Sequence, residues 1–338
     1  MSFLRLRPAR IPIRALRSFA TTSARRQSPI PYVQSCPAPT CTCAPAPEGL
    51  DIDRKTPLMN TMAAYTEQVL VSTGKPDWTS RIEDEESDAG AFVRGLKGVI
   101  GKGGKAFDPF TNTMLTASSL PASPTPNATS ILLFPSFLSL PSLPNTPATY
   151  DALASVYLKA KTLHPYHASL PDPQKAALTR DPSAAAALPA PIPISHPVVL
   201  ICGHGGRDQR CGILGPVLKE GFERELARRG IEGEVGVISH IGGHKYAGNV
   251  IVYVPPGYKA EAGENALQGS GVWYGRVGPE HVEGIVGETL GRGRVVLDLF
   301  RGGIAKGGVN LGRVLEGQVK KDRGEADEGL KLKPKARR

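Results

Sequence analysis

The sequence predicts an α/β fold, and three observations in its C-terminal half carry that prediction. VVLIC (198–202) is a short apolar run, separated by a glycine-and-charge loop from an amphipathic helical pattern. VGVIS (235–239) and NVIVYV (249–254) follow across a second glycine-rich loop. VWYGRV (272–277) and the helical PEHVEGIVGETLG complete the series. Strand, helix, strand, strand, strand, helix implies a crossover between parallel strands and then an antiparallel extension, which is the thioredoxin-like arrangement.

Each element has a local cause. VVLIC is short and β-branched, as a strand buried on both faces should be. In PVLKEGFERELARRG, Pro216 suits a first helical position and Gly230 a stop. Leu218, Phe222 and Leu226 lie four apart and form one buried stripe. In the last helix Pro279 marks the start, and Val282, Ile285, Val286 and Leu290 share one face. VVLDLF (295–300) adds an edge strand. The N-terminal half is an α/β region of looser pattern. It is expected to be helical around LMNTMAAYTEQVLV, strand-like at ILLFPSFLSL inside a Pro-, Ser- and Thr-rich insert, and helical over 151–163. The domains so drawn are an N-terminal region over 51–190, a thioredoxin-like domain over 197–312, and a charged, disordered tail over 313–338.

Charge bounds the partners. The 338 residues carry a net charge of +10, yet the first 47 hold no Asp or Glu and seven arginines, from Arg5 to Arg26. Arg-rich, acid-free and containing RSFATTSARR, residues 1–27 have the composition of a mitochondrial transit peptide; a basic nucleic-acid arm is the competing reading. Removing seven positive charges leaves little basic surplus, so no nucleic-acid partner is expected. No run of eighteen apolar residues exists, so no transmembrane segment is expected. Residues 28–50 read as a Pro-rich linker with Cys36, Cys41 and Cys43, whose Cys-x4-Cys-x-Cys spacing is no standard metal knuckle. They are either exposed thiols or a thiol–disulfide redox element; a reducing matrix does not favour structural disulfides.

The two loops concentrate the chemistry. CGHGGRDQRC (202–211) brackets glycines and charges with Cys202 and Cys211, and SHIGGHKYAGN presents His240 and His244. Both follow strand C-terminal ends, where open α/β sheets place ligands. Thiolate and imidazole are ligands for zinc, copper or iron–sulfur iron, and glycine permits the positive φ and close backbone approach a wrapping loop needs. Eight intervening residues exceed the tight Cys-x2–4-Cys knuckle of structural zinc. They suit a two-iron cluster with separate ligand pairs. Two imidazoles make such a cluster less negative than four thiolates. Its potential should therefore exceed that of an all-cysteine centre, as in Rieske sites at roughly −150 to +300 mV against about −400 mV for plant-type clusters. Because an imidazole can lose its second proton on oxidation, the potential should also depend on pH.

CGHGGRDQRCG, HIGGHKYAGNVIVY and WYGRVGPEHVEGIV together resemble the sucrase/ferredoxin-like family of thioredoxin-fold [2Fe–2S] proteins, specifically over about residues 197–290. The resemblance implies a thioredoxin-like ferredoxin domain in which Cys202, Cys211, His240 and His244 hold the cluster. It places His204, Arg207, Asp208, Arg210 and Lys245 as loop-ordering neighbours, with His204 the main rival ligand. Trp273, Tyr274 and Lys245 are expected at a cluster edge where a redox partner docks.

No nucleophile–base pair or nucleotide fingerprint is evident, so an electron carrier or redox sensor is expected rather than a catalyst. Its partners would be another redox protein and the iron–sulfur assembly machinery, in mitochondria and in the matrix ahead of the intermembrane space. The alternative is a zinc-bound structural or interaction module. A thioredoxin-type oxidoreductase is opposed by the lack of Cys-x-x-Cys at a helix start.

Overall fold

The computed structural model describes residues 29–325 apart from 41 and 306, so the expected transit peptide and Cys41 lie outside the described residues. In chain order the elements are β1 (Tyr32–Val33), β2 (Glu67–Ser72), α1 (Asp88–Ile100), β3 (Thr113–Ser118), β4 (Ala128–Phe134), β5 (Leu138–Pro144), α2 (Pro147–Leu153), α3 (Asp172–Leu178) and β6 (Ile192–Pro193). Then come β7 (Val198–Cys202), α4 (Gln209–Arg228), β8 (Glu234–Ile238), β9 (Val250–Val254), the small hairpin β10 (Lys259–Ala260) and β11 (Gly263–Glu264), and β12 (Ser270–Tyr274). The chain continues through α5 (Val282–Ile285), β13 (Val295–Val296), β14 (Phe300–Ala305), β15 (Val309–Asn310) and α6 (Leu311–Asp322).

A mixed sheet of eleven strands runs β15-β14-β12-β9-β7-β8-β3-β2-β4-β5-β6. The α/β class and the C-terminal strand series are as expected: β7 and β8 are parallel across α4, and β9 and β12 extend antiparallel. The N-terminal half repeats this plan, with β2 parallel to β3 across α1 and β4 and β5 antiparallel beyond β2. The halves meet where Ser118 of β3 pairs with Ile238 of β8. The contacts there are reciprocal. Ser119 N–H donates to Val237 O and Ser239 N–H to Ala117 O, each at 2.9 Å. Ala117 N–H donates to Ser239 Oγ at 2.9 Å, and Val237 N–H to Ser119 Oγ at 3.0 Å. Added to the repeated strand plan, the matched Ser119 and Ser239 contacts fit a pseudo-two-fold relation between the halves, in which Ser72 at the end of β2 corresponds to Cys202 at the end of β7.

The sheet folds over at this junction. Phe134 on β4 stacks on Tyr253 of β9 with ring centroids 3.8 Å apart, although five strand steps of about 4.8 Å separate them in the order. Side-chain alternation then sorts the core into layers. Leu70, Leu132, Leu200, Ile251 and Trp273 fill the space between the two half-sheets. Val69, Val71, Ile131 and Leu133 pack under Phe92 and Leu96 of α1. Val199, Ile201 and Val252 pack under Leu214, Leu218 and Phe222 of α4, as the stripe predicts.

Five expectations differ. The edge strand expected over VVLDLF is broken by a 3₁₀ turn at Leu297–Leu299: β13 pairs with β1 outside the large sheet, and β14 starts only at Phe300, between β15 and β12. The helix expected around LMNTMAAYTEQVLV is instead irregular chain over 58–66 leading into strand β2, which is buried at all six positions; a strand covered on both faces loses the alternation that would reveal it. Helix α4 begins at Gln209, with Asp208 as N-cap accepting from Arg210 N–H, and Pro216 lies within the helix. The tail begins ordered, because Leu311, Leu315 and Val319 give α6 one buried stripe. The expected linker is docked: β1 pairs in parallel with β13, Gln318 binds Ile30 through both its N–H and C=O, and Glu283 binds Thr40.

Docking half-buries Cys36. Burial first, then Asp298, Glu288 and Glu280, push its thiol up to about 12. An unfolded thiol ionises near 9, so the stability this group contributes is complete below that pH and declines as pH rises toward 12. Alkylation of Cys36 at pH 8 by iodoacetamide is expected to be at least about tenfold slower in the folded chain than in urea. Peptide mapping checks this, and equal rates would contradict the docked position.

Candidate metal centre

The end of β7 and the end of β8 are in register, Cys202 against Ile238, so both loops leave from one edge of the sheet. Cys202 and Cys211 are buried and form no disulfide, His240 is half-buried, and His244 is exposed. Contacts run as a chain. The Cys202 thiol adjoins Cys211 and then His240, and the His240 and His244 rings lie 5.4 Å apart. The four expected donors are thus neighbours in sequence of contact, pair by pair, with the sulfurs buried and the His244 ring toward solvent. Among the described residues, no three or more His, Cys, Asp or Glu are grouped as a metal ion would require.

Starting α4 at Gln209 changes the setting of Cys211. It stands in the first helical turn rather than in a loop. The two thiols share a proton unequally: the Cys211 hydrogen bond holds Cys202 well below the usual thiol range against burial, helped by His240 and the His204 N–H. Cys211 is pushed up by that same neighbour and by burial. The glycines divide their work. Gly242 and Gly243 take φ of 79° and 72°, turning the chain into the His244–Tyr246 turn. In the first loop close approach decides, since a Cβ on Gly215 of α4 would lie 2.7 Å from the Gly203 Cα.

His204, the expected rival, has both ring nitrogens occupied. Its Nε2 lies 3.1 Å from Trp78 O and 2.9 Å from Thr79 O, and its Nδ1 accepts from the His240 N–H at 3.1 Å. It is only 2 % exposed. The sequence marked His204 but not the N-terminal loop that it grips. His204→Gln, which keeps a donor, is expected to leave metal uptake within about twofold of wild type while lowering stability by about 1–3 kcal/mol. Metal analysis and urea unfolding check this; loss of all metal from a folded variant would make His204 a ligand after all.

The other expected neighbours tie loops together. Asp208 caps α4 and receives Arg210 Nε and Nη2 at 2.9 and 2.8 Å, and Arg210 Nη1 reaches Asp51 O. Arg207 donates to Ser80 Oγ at 3.2 Å. Lys245 pairs with Asp53 at 3.2 Å. Trp273 and Tyr274 are wholly buried and cannot form a docking edge as expected. Trp273 fills the layer between the half-sheets, and Tyr274 OH bonds Thr289 on the opposite layer; of the three only Lys245 is exposed.

Sequence reading missed Arg301 and Asn249. Arg301, on β14, is 1 % exposed and spans behind the histidine loop. It donates to Gly242 O at 3.2 Å and to Asn249 Oδ1 at 2.7 Å, and Asn249 in turn donates to Gly243 O. A Cβ on Gly243 would strike the guanidinium at 2.4 Å. The available signal was one charge at the end of the apolar run VVLDLF.

The fold is that of a mixed α/β protein, and the chain belongs to the sucrase/ferredoxin-like family, whose model matches residues 58–302. It is similar to altered inheritance of mitochondria protein 32 of Clavispora lusitaniae, 49% identical over 113 residues, which are 32% of this chain and 36% of that protein. The same-named proteins of Debaryomyces hansenii and Meyerozyma guilliermondii are each 46% identical, over 109 and 111 residues, again 32% of this chain and 36% and 35% of theirs. The matches thus span about a third of the curated relatives' length. No solved structure matches the chain. No helix among the described residues is long and apolar enough to cross a membrane.

Proposed function

We propose that Cys202, Cys211, His240 and His244 hold a [2Fe–2S] cluster in a thioredoxin-like domain, and that the protein serves electron transfer or thiol redox homeostasis in mitochondria. The carrying observation is the linear run of donors, two buried sulfurs followed by two imidazoles reaching solvent. A single zinc ion wants four donors around one point; a chain of donors suits two irons. The donor chemistry fits as well, since Cys202 is stabilised as a thiolate in a buried setting. When bound, such a cluster supplies a one-electron couple.

The chain's residues do the rest. Cys202 is fixed by its N–H to Asn249 O, His240 by His204, and Cys211 by the Asp208 cap. The strand order β8-β7-β9-β12 with α4 as crossover supports the thioredoxin-like reading. The exposed histidine end gives a protein partner access, and loading would fall to the iron–sulfur assembly machinery. The Arg-rich start and the relatives' name support a mitochondrial place, in the matrix ahead of the intermembrane space.

Anaerobic purification with iron, sulfide and zinc analysis tests the reading. Red-brown protein with equal iron and labile sulfide, and an EPR signal after dithionite, is expected. Colourless protein with stoichiometric zinc would replace the reading with a zinc module.

A further inference from the structure

Arg301 is a buried cation without an anion. Its guanidinium donates to Thr61 Oγ1 at 3.1 Å, Thr61 O at 2.9 Å, Gly242 O at 3.2 Å and Asn249 Oδ1 at 2.7 Å, all neutral acceptors. It lies over the faces of Tyr246 and Trp273, 5.5 and 5.8 Å from their centroids. The ion pairs among the described residues include none to Arg301, whereas the half-buried carboxylates beside the site's loops are paired: Asp208 with Arg210, and Asp53 with Lys245 and Arg276. Burying an unpaired charge is costly, and a protein retains one only where something repays it. Arg301 is tied to the site through Asn249, which takes the guanidinium on its side chain and the Cys202 N–H on its carbonyl at 2.9 Å, and the groups that favour its charge are Tyr246 first, then Cys202 and Cys211.

We propose that Arg301 is the built-in counter-charge of the metal centre: a positioning residue that braces the 242–249 loop and, by its fixed positive charge, favours the reduced state of the bound group. The inference rests on the cluster reading above. With two thiolates, two neutral imidazoles, two sulfides and two ferric irons, the oxidised centre carries no net charge. Reduced by a one-electron donor such as dithionite, one iron going from ferric to ferrous, such a centre would carry one negative charge. That charge is offset by Arg301 through a low-dielectric interior, where attraction is far stronger than in water. An arginine suits this task because its planar donors satisfy four neutral acceptors while the charge persists at every physiological pH.

The test compares the full-length chain with Arg301→Gln, Arg301→Lys and Asn249→Asp in an EPR-monitored redox titration after anaerobic reconstitution. Asn249→Asp changes one atom and sets a carboxylate against the guanidinium, cancelling its charge while leaving the arginine in place. At fixed poise, Arg301→Gln and Asn249→Asp are expected to keep iron and sulfide content but lower the reduced-to-oxidised ratio at least about tenfold, equivalent to about 59 mV for one electron. Arg301→Lys, which keeps the charge, should stay closer to wild type than either. Loaded Arg301→Gln with an unchanged ratio overturns the proposal. Should that variant fail to fold, loaded Asn249→Asp with an unchanged ratio overturns it equally. A wild-type chain that takes up no iron or sulfide overturns the cluster reading itself, a result distinct from a loaded wild type whose variants do not shift.

Discussion

Cys202→Ser is expected to abolish the visible chromophore and cut iron and sulfide at least about tenfold while leaving the chain folded. Serine is slightly smaller than cysteine and cannot serve as a soft thiolate, so the change removes a ligand more than it removes packing. Cys202 is 2 % exposed and its backbone is held by Asn249 O independently of the side chain. Cys211→Ser should behave alike, because its place in α4 is fixed by the Asp208 cap. His244→Ala gives a cleaner arm. That side chain is exposed, so its removal should cost almost no stability and yet destabilise the cluster. Iron and sulfide analysis with far-UV circular dichroism separates the effects. A folded Cys202→Ser chain with undiminished iron and sulfide would rule out the assignment.

Trp273→Ala is expected to cost about 3–5 kcal/mol in urea unfolding, the range for large aromatics in closed cores. The ring is wholly buried between the half-sheets. Its Nε1–H donates to Tyr65 OH at 3.1 Å, and Tyr65 OH lies 2.8 Å from Tyr253 OH. Tyr65 belongs to the N-terminal half and Tyr253 to the C-terminal half, so losing the indole both empties space and loosens the contact that folds one half-sheet over the other. A loss below about 1 kcal/mol would show that the halves are not packed through this layer.

The C-terminal strands were legible because each is a short apolar run bounded by glycine loops, and the α4 stripe because Leu218, Phe222 and Leu226 keep one face. The start of α4 was not, because Pro216 is a stronger local signal than the capping Asp208 eight residues before it. Strand β2 was hidden by burial on both faces. The two-fold relation left no motif to find: where the C-terminal half ends a strand with Cys202, the N-terminal half ends one with Ser72, and the correspondence shows only in the repeated strand plan and the matched serine contacts. At the site, the sequence drew attention to Cys202, Cys211, His240 and His244 as candidate donors, since thiols and imidazoles are chemically conspicuous. Arg301 was invisible because it stands nearly sixty residues beyond His244 in sequence and reaches the loop only through the sheet.

The central claim is that two histidine nitrogens and two cysteine sulfurs share one diiron centre. Pulsed EPR of the dithionite-reduced chain reads the nitrogens directly. Strong hyperfine coupling to two inequivalent ¹⁴N nuclei is predicted, and it should vanish in ¹⁵N-histidine-labelled protein in favour of the ¹⁵N pattern. A reduced cluster whose spectrum carries no coupled histidine nitrogen would contradict the account.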